Sequence, residues 1–261
     1  QGLWRGLGIA TFLEWTGGNA LEENVQVQIL ADGMIEVASA VNAMGQGIAT
    51  SLAQLVVDVF GVDISQVRVV LGDTDRANGF GSAGSRSLFT GGSAMRVGAE
   101  KTLDKARDLA GQALEASPAD LTYESGKFSV KGTDLQISLA DLAKRQPEAR
   151  IEVQSSTTAS GPTWPNGCHI CEVEFNPQTG ETKVVSYTSM NDAGRIVNPM
   201  IVDGQLDGGA VQGLGQALLE GLVYDAESGQ LLTGSLMDYA APRADIMPQM
   251  FHTFTNQTVP S

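Results

Sequence analysis

The sequence predicts an α+β protein of two α/β lobes, each a mixed sheet packed with long helices. Three observations support this. Short alternating strands come in hairpin pairs, two long amphipathic helices each follow a glycine-rich turn, and the order of elements does not keep a regular β-α-β wind. The halves are broadly alike without a residue-level repeat. They divide as 1–150 and 151–261, with the second lobe read as incomplete at its C-terminal end.

The elements follow in order. Ile9 to Glu14 reads as a strand and Gly17-Gly18-Asn19 as a turn. Val25 to Ile29 alternates, and Asp32-Gly33 turns it into Ile35-Glu36-Val37, a hairpin signature. After Gly45-Gln46-Gly47, the apolar positions Ile48, Leu52, Leu55, Val56, Val59 and Phe60 make one helical stripe, stopped by Gly61. Val67 to Leu71 is a short strand. Gly72 to Gly92 is a loop longer than most connections, and such loops are more often functional than decorative. A second helix covers Ser93 to Ala116, with Val97, Leu103, Ala106, Leu109, Ala110 and Leu114 inward. Ser125-Gly126 turns another hairpin, and Ser138 caps a short helix ending near Arg145.

Later, a strand near Ile151 to Gln154 precedes a polar stretch up to Pro165. Cys168 to Phe175 and Thr182 to Ser189 form a long hairpin. Asn198-Pro199 starts a turn, a glycine-rich helix covers Val202 to Leu222, and a last hairpin near Ala226 to Gly229 leads into a loop-like tail.

Composition narrows the function. A formal net charge of -14 excludes the basic footprint of a nucleic-acid groove. No stretch is long or apolar enough to cross a membrane as a helix. Two cysteines are too few for a disulfide framework or an iron–sulfur cluster. The chain opens without methionine and closes on Val259-Pro260-Ser261, so it is read as a piece of a longer protein. The expected compartment is the cytoplasm, with the periplasm as the alternative.

Three segments carry candidate chemistry. Met44-Gly45-Gln46-Gly47 lies between a strand and a helix N-terminus, where glycines admit a ligand and free N–H groups suit phosphate or a pterin edge. A tight turn without a ligand is the alternative. Gly79 to Ser87 combines glycines, hydroxyls and Arg86, which can fork onto a phosphate, and Thr90-Gly91-Gly92-Ser93 then opens the second helix. Here a flexible surface loop is the alternative. The third segment runs from Asn191 through Gln205 to Gly213, where helical glycines cost roughly 1 kcal/mol each against alanine and call for close packing or a ligand. Cys168-His169-Ile170-Cys171 invites a zinc site, but strand alternation puts the cysteines on opposite faces, and the only other histidine is His252.

Together, Met44-Gly45-Gln46-Gly47, the Gly84-Ser85-Arg86-Ser87 loop, and Asp192-x-Gly194-Arg195-x-x-Asn198-Pro199 leading to Gly204-Gln205-x-x-Gly208-Gly209 resemble the xanthine dehydrogenase and aldehyde oxidase family. Within it the chain is most similar to the large subunits of aerobic carbon-monoxide-dehydrogenase-like hydroxylases, over essentially its whole length. The resemblance implies the later, cofactor-binding portion of such a subunit, with molybdenum-molybdopterin in the cytosine dinucleotide form. It assigns Met44, Gly45, Gln46 and Gly47, the helix-opening Gly91, Gly92 and Ser93, and Gln205 to the cofactor. Ser85, Arg86 and Ser87 match the loop near the cytidine diphosphate extension. It also implies an upstream molybdenum-binding domain, iron–sulfur and flavin or other electron-transfer subunits, and a small-molecule substrate hydroxylated with water as oxygen source.

No catalytic residue is assigned in this chain. The family's glutamate base belongs to a Gly-x-Gly-Glu segment expected after Ser261, so the isolated chain is expected not to turn over. Two other readings stand beside this one: a non-catalytic cofactor-binding or assembly module needing a partner chain, and a generic phosphate-binding enzyme using Gly45 to Gly47. The last lacks the lysine of a P-loop.

Overall fold

The computed structural model describes residues 2–18, 20–248 and 250–256. It has two compact units: residues 15–163 form one, and the segments before and after them form the other. This differs from the division expected at 150/151, because strand pairing reaches across it. The first strand, β1 (Trp4–Leu13), starts earlier than the expected Ile9 and pairs antiparallel with a strand that begins at Asn166. Gly17 and Gly18 turn with φ of +82° and +54°. Asn19 lies outside the described residues.

In the 15–163 unit, β2 (Glu22–Leu30) and β3 (Ile35–Ser39) form the expected hairpin. The helix α1 (Ile48–Phe60) buries Ile48, Leu52, Val56 and Phe60, and ends at Gly61, whose φ of +57° suits a residue without Cβ. It leads to β4 (Val67–Leu71), parallel to β3. The helix α2 (Ser93–Leu114) follows a π-helical turn over Ser87–Gly92, so the expected loop ends sooner than Gly92.

The stripe that α2 buries is smaller than the leucines suggested. Ala94, Met95, Gly98, Ala99, Thr102, Ala106 and Ala110 lie inside, while Val97, Leu103, Leu109 and Leu114 are only half-buried along its flanks. Close approach explains the difference: a Cβ at Gly98 would lie 2.7 Å from Val25 Cγ2 and 3.3 Å from Val27 Cγ2. The helix lies almost on the sheet, and bulk fits only at its sides.

A small antiparallel sheet of β5 (Leu121–Glu124), β6 (Lys127–Val130) and β7 (Gln136–Ser138) adds Phe128 and Leu121 to the same core. Ser138 caps α3 (Leu139–Lys144), its Oγ accepting from the Asp141 N–H at 3.0 Å. The strand β8 (Arg150–Thr158) runs past the expected Gln154 and pairs with β2, giving the order β4-β3-β2-β8. Alternating strands often leave one face in water. On β2 both faces are covered: Val25, Val27 and Ile29 face the core, while Gln26 and Gln28 accept from Arg76.

The other unit has the order β1-β9-β10-β11, with β9 (Asn166–Phe175), β10 (Thr182–Asp192) and β11 (Met250–Asn256). The tail is therefore not wholly loop-like: β11 adds parallel to β10. The helix α4 (Pro199–Leu218) starts earlier than Val202 and ends before Leu222. Asn198 caps it and Pro199 takes its first position, where a missing N–H costs nothing. Its Ala210 and Leu214 pack with Val184 and Tyr187. Tyr224 and Leu231 form an isolated bridge at the last expected hairpin.

The glycines of the two long helices differ in what surrounds them, and this gives a test. Gly98→Ala should destabilise by about 1–3 kcal/mol through overpacking. Gly209→Ala, where an added Cβ meets nothing within 4 Å, should stabilise by about 1 kcal/mol. Urea unfolding of the two variants gives both signs, and equal effects would refute the packing described here.

Candidate functional site

The β3–α1 connection is a glycine turn closed by a glutamine. Gly45 and Gly47 take φ of +92° and +75°, and Gln46 folds back between them. Its Oε1 accepts from the Met44 N–H at 2.7 Å and its Nε2 donates to the Asn42 carbonyl at 2.8 Å. The amide predicted to face a ligand thus also fixes the loop that presents the backbone. No side chain caps α1 at Gly47, so the N–H groups of its first turn remain available, next to exposed Met44 and Gly45.

Ser82 joins this loop to the second one. Its Oγ accepts from the Asn42 N–H at 2.8 Å, lies 3.2 Å from the Asn42 carbonyl and is 2.7 Å from Ser87 Oγ. Two candidate segments separated by some forty residues are therefore one structure. Ser85, exposed with φ of +58°, marks the outer bend of the loop. Sequence reasoning placed Ser82 within a glycine-rich cradle but gave no reason to pair it with Asn42.

Arg86 does not present itself to a ligand. Its side chain is 0% exposed, and its guanidinium donates to the carbonyls of Ala20, Glu22 and Gly81. Its Nη1 also lies 2.7 Å from Oε2 of Glu23, itself fully buried. The expected phosphate fork is thus corrected: the fork is occupied by backbone, and Arg86 anchors the loop to β2. Glu23 was not singled out from the sequence, since a carboxylate beside Glu22 and Asn24 reads as solvated. Its Oε1 has no hydrogen-bond donor, and a Cβ at Gly79 would come within 2.7 Å of it.

Gly91 and Gly92 are buried too, and their lack of Cβ serves packing. An added carbon would lie 2.7 Å from Val41 Cγ1 at Gly91 and 3.0 Å from Leu55 Cδ1 at Gly92. They let the π turn settle against Leu55 of α1 and against Val41, which follows β3. Ser93 is exposed, and its Oγ donates to the Phe89 carbonyl. π turns are frequent at functional sites, and here Thr90 Oγ1 is buried without a partner.

Gln205 belongs to the other unit. It lies exposed on α4 with Gly204, Gly208, Gly209 and Gly213, around which an added Cβ would meet nothing. These four glycines are therefore not explained by packing within the described residues, whereas Gly215 of the same helix is, since a Cβ there would lie 2.8 Å from Pro242 Cγ. In the same unit, His169 lies between Tyr187 Oη (2.6 Å from Nδ1) and Asn191 Oδ1 (3.2 Å from Nε2), and Cys171 packs toward Tyr187. The side chain of His252 lies outside the described residues.

In this α+β chain an uncapped helix start and two glycine-rich loops, tied together by Ser82, make one surface rich in exposed backbone. Comparison with known proteins is specific about the ligand. The chain belongs to the molybdopterin cofactor-binding domain family, whose model matches residues 1–248. It is 36% identical over 255 residues to the 6-hydroxypseudooxynicotine dehydrogenase complex subunit gamma of Paenarthrobacter nicotinovorans, covering 94% of this chain and 32% of that one. It is 34% identical to the carbon monoxide dehydrogenase large chain of Hydrogenophaga pseudoflava, covering 97% and 34%. The crystal structure of quinoline 2-oxidoreductase from Pseudomonas putida 86 superposes with a TM-score of 0.85 at 32% identity, over 100% of this chain and 36% of that one. The chain thus spans about a third of the length of these relatives.

Arg86→Ala should cost about 3–5 kcal/mol, the usual penalty for leaving one member of a buried ion pair behind. The loss should be the same in low and high salt, since a buried pair is poorly screened. Denaturant titrations at both ionic strengths check this. A loss below about 1 kcal/mol, the range of exposed pairs, would mean the pair is solvated.

Proposed function

We propose that this chain is the molybdopterin-holding part of a larger molybdenum hydroxylase, which hydroxylates an aldehyde, an N-heterocycle or a similar carbon centre with oxygen from water. The observation behind this is the Ser82 bridge, which makes a single surface of the Gln46 loop and the loop ahead of α2. The cofactor fits the chemistry of that surface. A pterin edge and a phosphate are rich in hydrogen-bond acceptors, and the surface offers backbone N–H groups at a helix start without a side-chain cap. Gly45 leaves open space where a side chain would stand.

When bound, the molybdenum-pterin group supplies the two-electron redox centre of the reaction. The chain's own residues bind and orient it. Met44, Gly45 and Gly47 present backbone, and Gln46 holds their geometry and can exchange one of its loop bonds for a pterin atom. Ser87 and Ser93 bring hydroxyls near the start of α2, and exposed Ser85 would be available to a cytidine diphosphate extension. Arg86 acts through the loop it anchors, and Gly91 and Gly92 through the approach they permit. Gln205 is assigned from the family motif alone.

The resemblance extends the reading to an upstream molybdenum-binding domain and to iron–sulfur and flavin or other electron-transfer subunits. We further propose that the isolated chain does not turn over, because no Gly-x-Gly-Glu segment occurs in its 261 residues. The same observation supports a second reading, a cofactor-holding or assembly module that needs a partner chain for chemistry.

The test is a chimera in which this chain replaces the matched third of the Hydrogenophaga pseudoflava large chain. Gln46→Ala and Ser82→Ala should each lower molybdenum per chain, by metal analysis, and pterin per chain, by fluorescence after oxidation, at least fivefold. Unchanged contents in both variants would remove these loops from the cofactor site.

A further inference from the structure

The sheet β1-β9-β10-β11 carries α4 on one face only. On the other, register places Leu7 and Ile9 of β1, Ile170 of β9, Met190 of β10 and Phe254 of β11 along a diagonal of one face, flanked by Glu172, the partner of Leu7, and Thr188, the partner of Ile170. Leu7 and Ile9 are 64% and 65% exposed, and Met190 and Phe254 are each 50% exposed. Contiguous apolar patches of this kind on soluble proteins mark interaction sites. The patch continues onto a free edge. Among the described residues no strand pairs with the outer side of β1, and Gly6 to Leu13 contains no charge to protect it. Long uncharged edges of this kind invite another strand.

We propose that this face and the β1 edge are the docking surface for the additional polypeptide that large chains of this family carry outside the matched third. The fold of that third is kept over the whole length of this chain, while most of the quinoline 2-oxidoreductase chain lies outside the match. An apolar sheet face bared here is therefore one that the rest of such a chain can cover. The polar pair Arg5–Glu174, 2.8 Å apart, lies at one end of the face and supplies the rim expected of an interface. The choice of occupant rests on the large-chain reading above, but the surface itself does not depend on bound cofactor.

The probe is a single thiol, Leu7→Cys, in a chain with Cys168→Ala and Cys171→Ala. In the isolated 261-residue chain a maleimide should label it rapidly, and in the chimera at least tenfold more slowly. Equal rates would overturn the proposal. So would protection in the isolated chain accompanied by a dimer mass in sedimentation, which would make a second copy the occupant. As a second measurement, Leu7→Glu with Ile9→Glu should leave the melting temperature of the isolated chain unchanged and cut soluble chimera severalfold. If those charges unfold the isolated chain, or the unsubstituted chimera does not accumulate folded, the surface is not a docking face. A chimera that protects the thiol but holds no molybdenum would sink the cofactor reading alone.

Discussion

The buried Arg86–Glu23 pair is the contact on which the rest of the site depends. Taking two charges out of water costs several kcal/mol per ion even after relaxation. The guanidinium recovers part of that by donating to three backbone carbonyls, two of them on the segment that enters β2 and one on its own loop. The arginine therefore sews a glycine-rich loop, which has little side-chain surface of its own to bury, onto the central strand of the sheet. With the loop held there, Ser82 meets Asn42, and the Gln46 turn acquires a fixed neighbour. A loop free to move would offer the same hydroxyls and N–H groups with no common geometry.

Close packing does the complementary work. Glycine at 91, 92 and 98 lets α2 and its π turn approach β2, α1 and Val41 to distances that a methyl group would not allow. The start of α2 is then placed by sheet and helix rather than by loop, which favours precision in a binding site. The contrast with α4 is informative. Its Gly204, Gly208, Gly209 and Gly213 lie against open space, so whatever they serve is not packing inside the described residues, and only Gly215 is held close, against Pro242.

Local chemistry was legible and long-range pairing was not. The Asp32-Gly33 and Ser125-Gly126 hairpins, the α1 stripe ending at Gly61 and the Ser138 cap all follow from neighbours a few residues apart, and the structure has each of them. The pairing of β1 with β9 and of β8 with β2 spans well over a hundred residues, and these two contacts move the unit boundaries. The tail strand β11 was readable in principle, since Phe251, Thr253, Phe254 and Thr255 favour extended backbone. Its partner β10 lies some sixty residues earlier, a pairing with no local signature. At the site, motif order gave the family, while the orientation of Arg86 was misread: an arginine among glycines and serines looks like a ligand until its carbonyl partners are in view. The tie between Ser82 and Asn42 has no one-dimensional signature.

The central claim is that two loops distant in sequence act as one cofactor-holding surface. Hydrogen exchange in the chimeric large chain, compared with and without molybdopterin, tests it most directly. The account predicts that amides in 42–50 and 79–93 slow together on loading, while those of α3 and the β5–β6 hairpin do not change. Slowing confined to one of the two segments, or to neither, would contradict it.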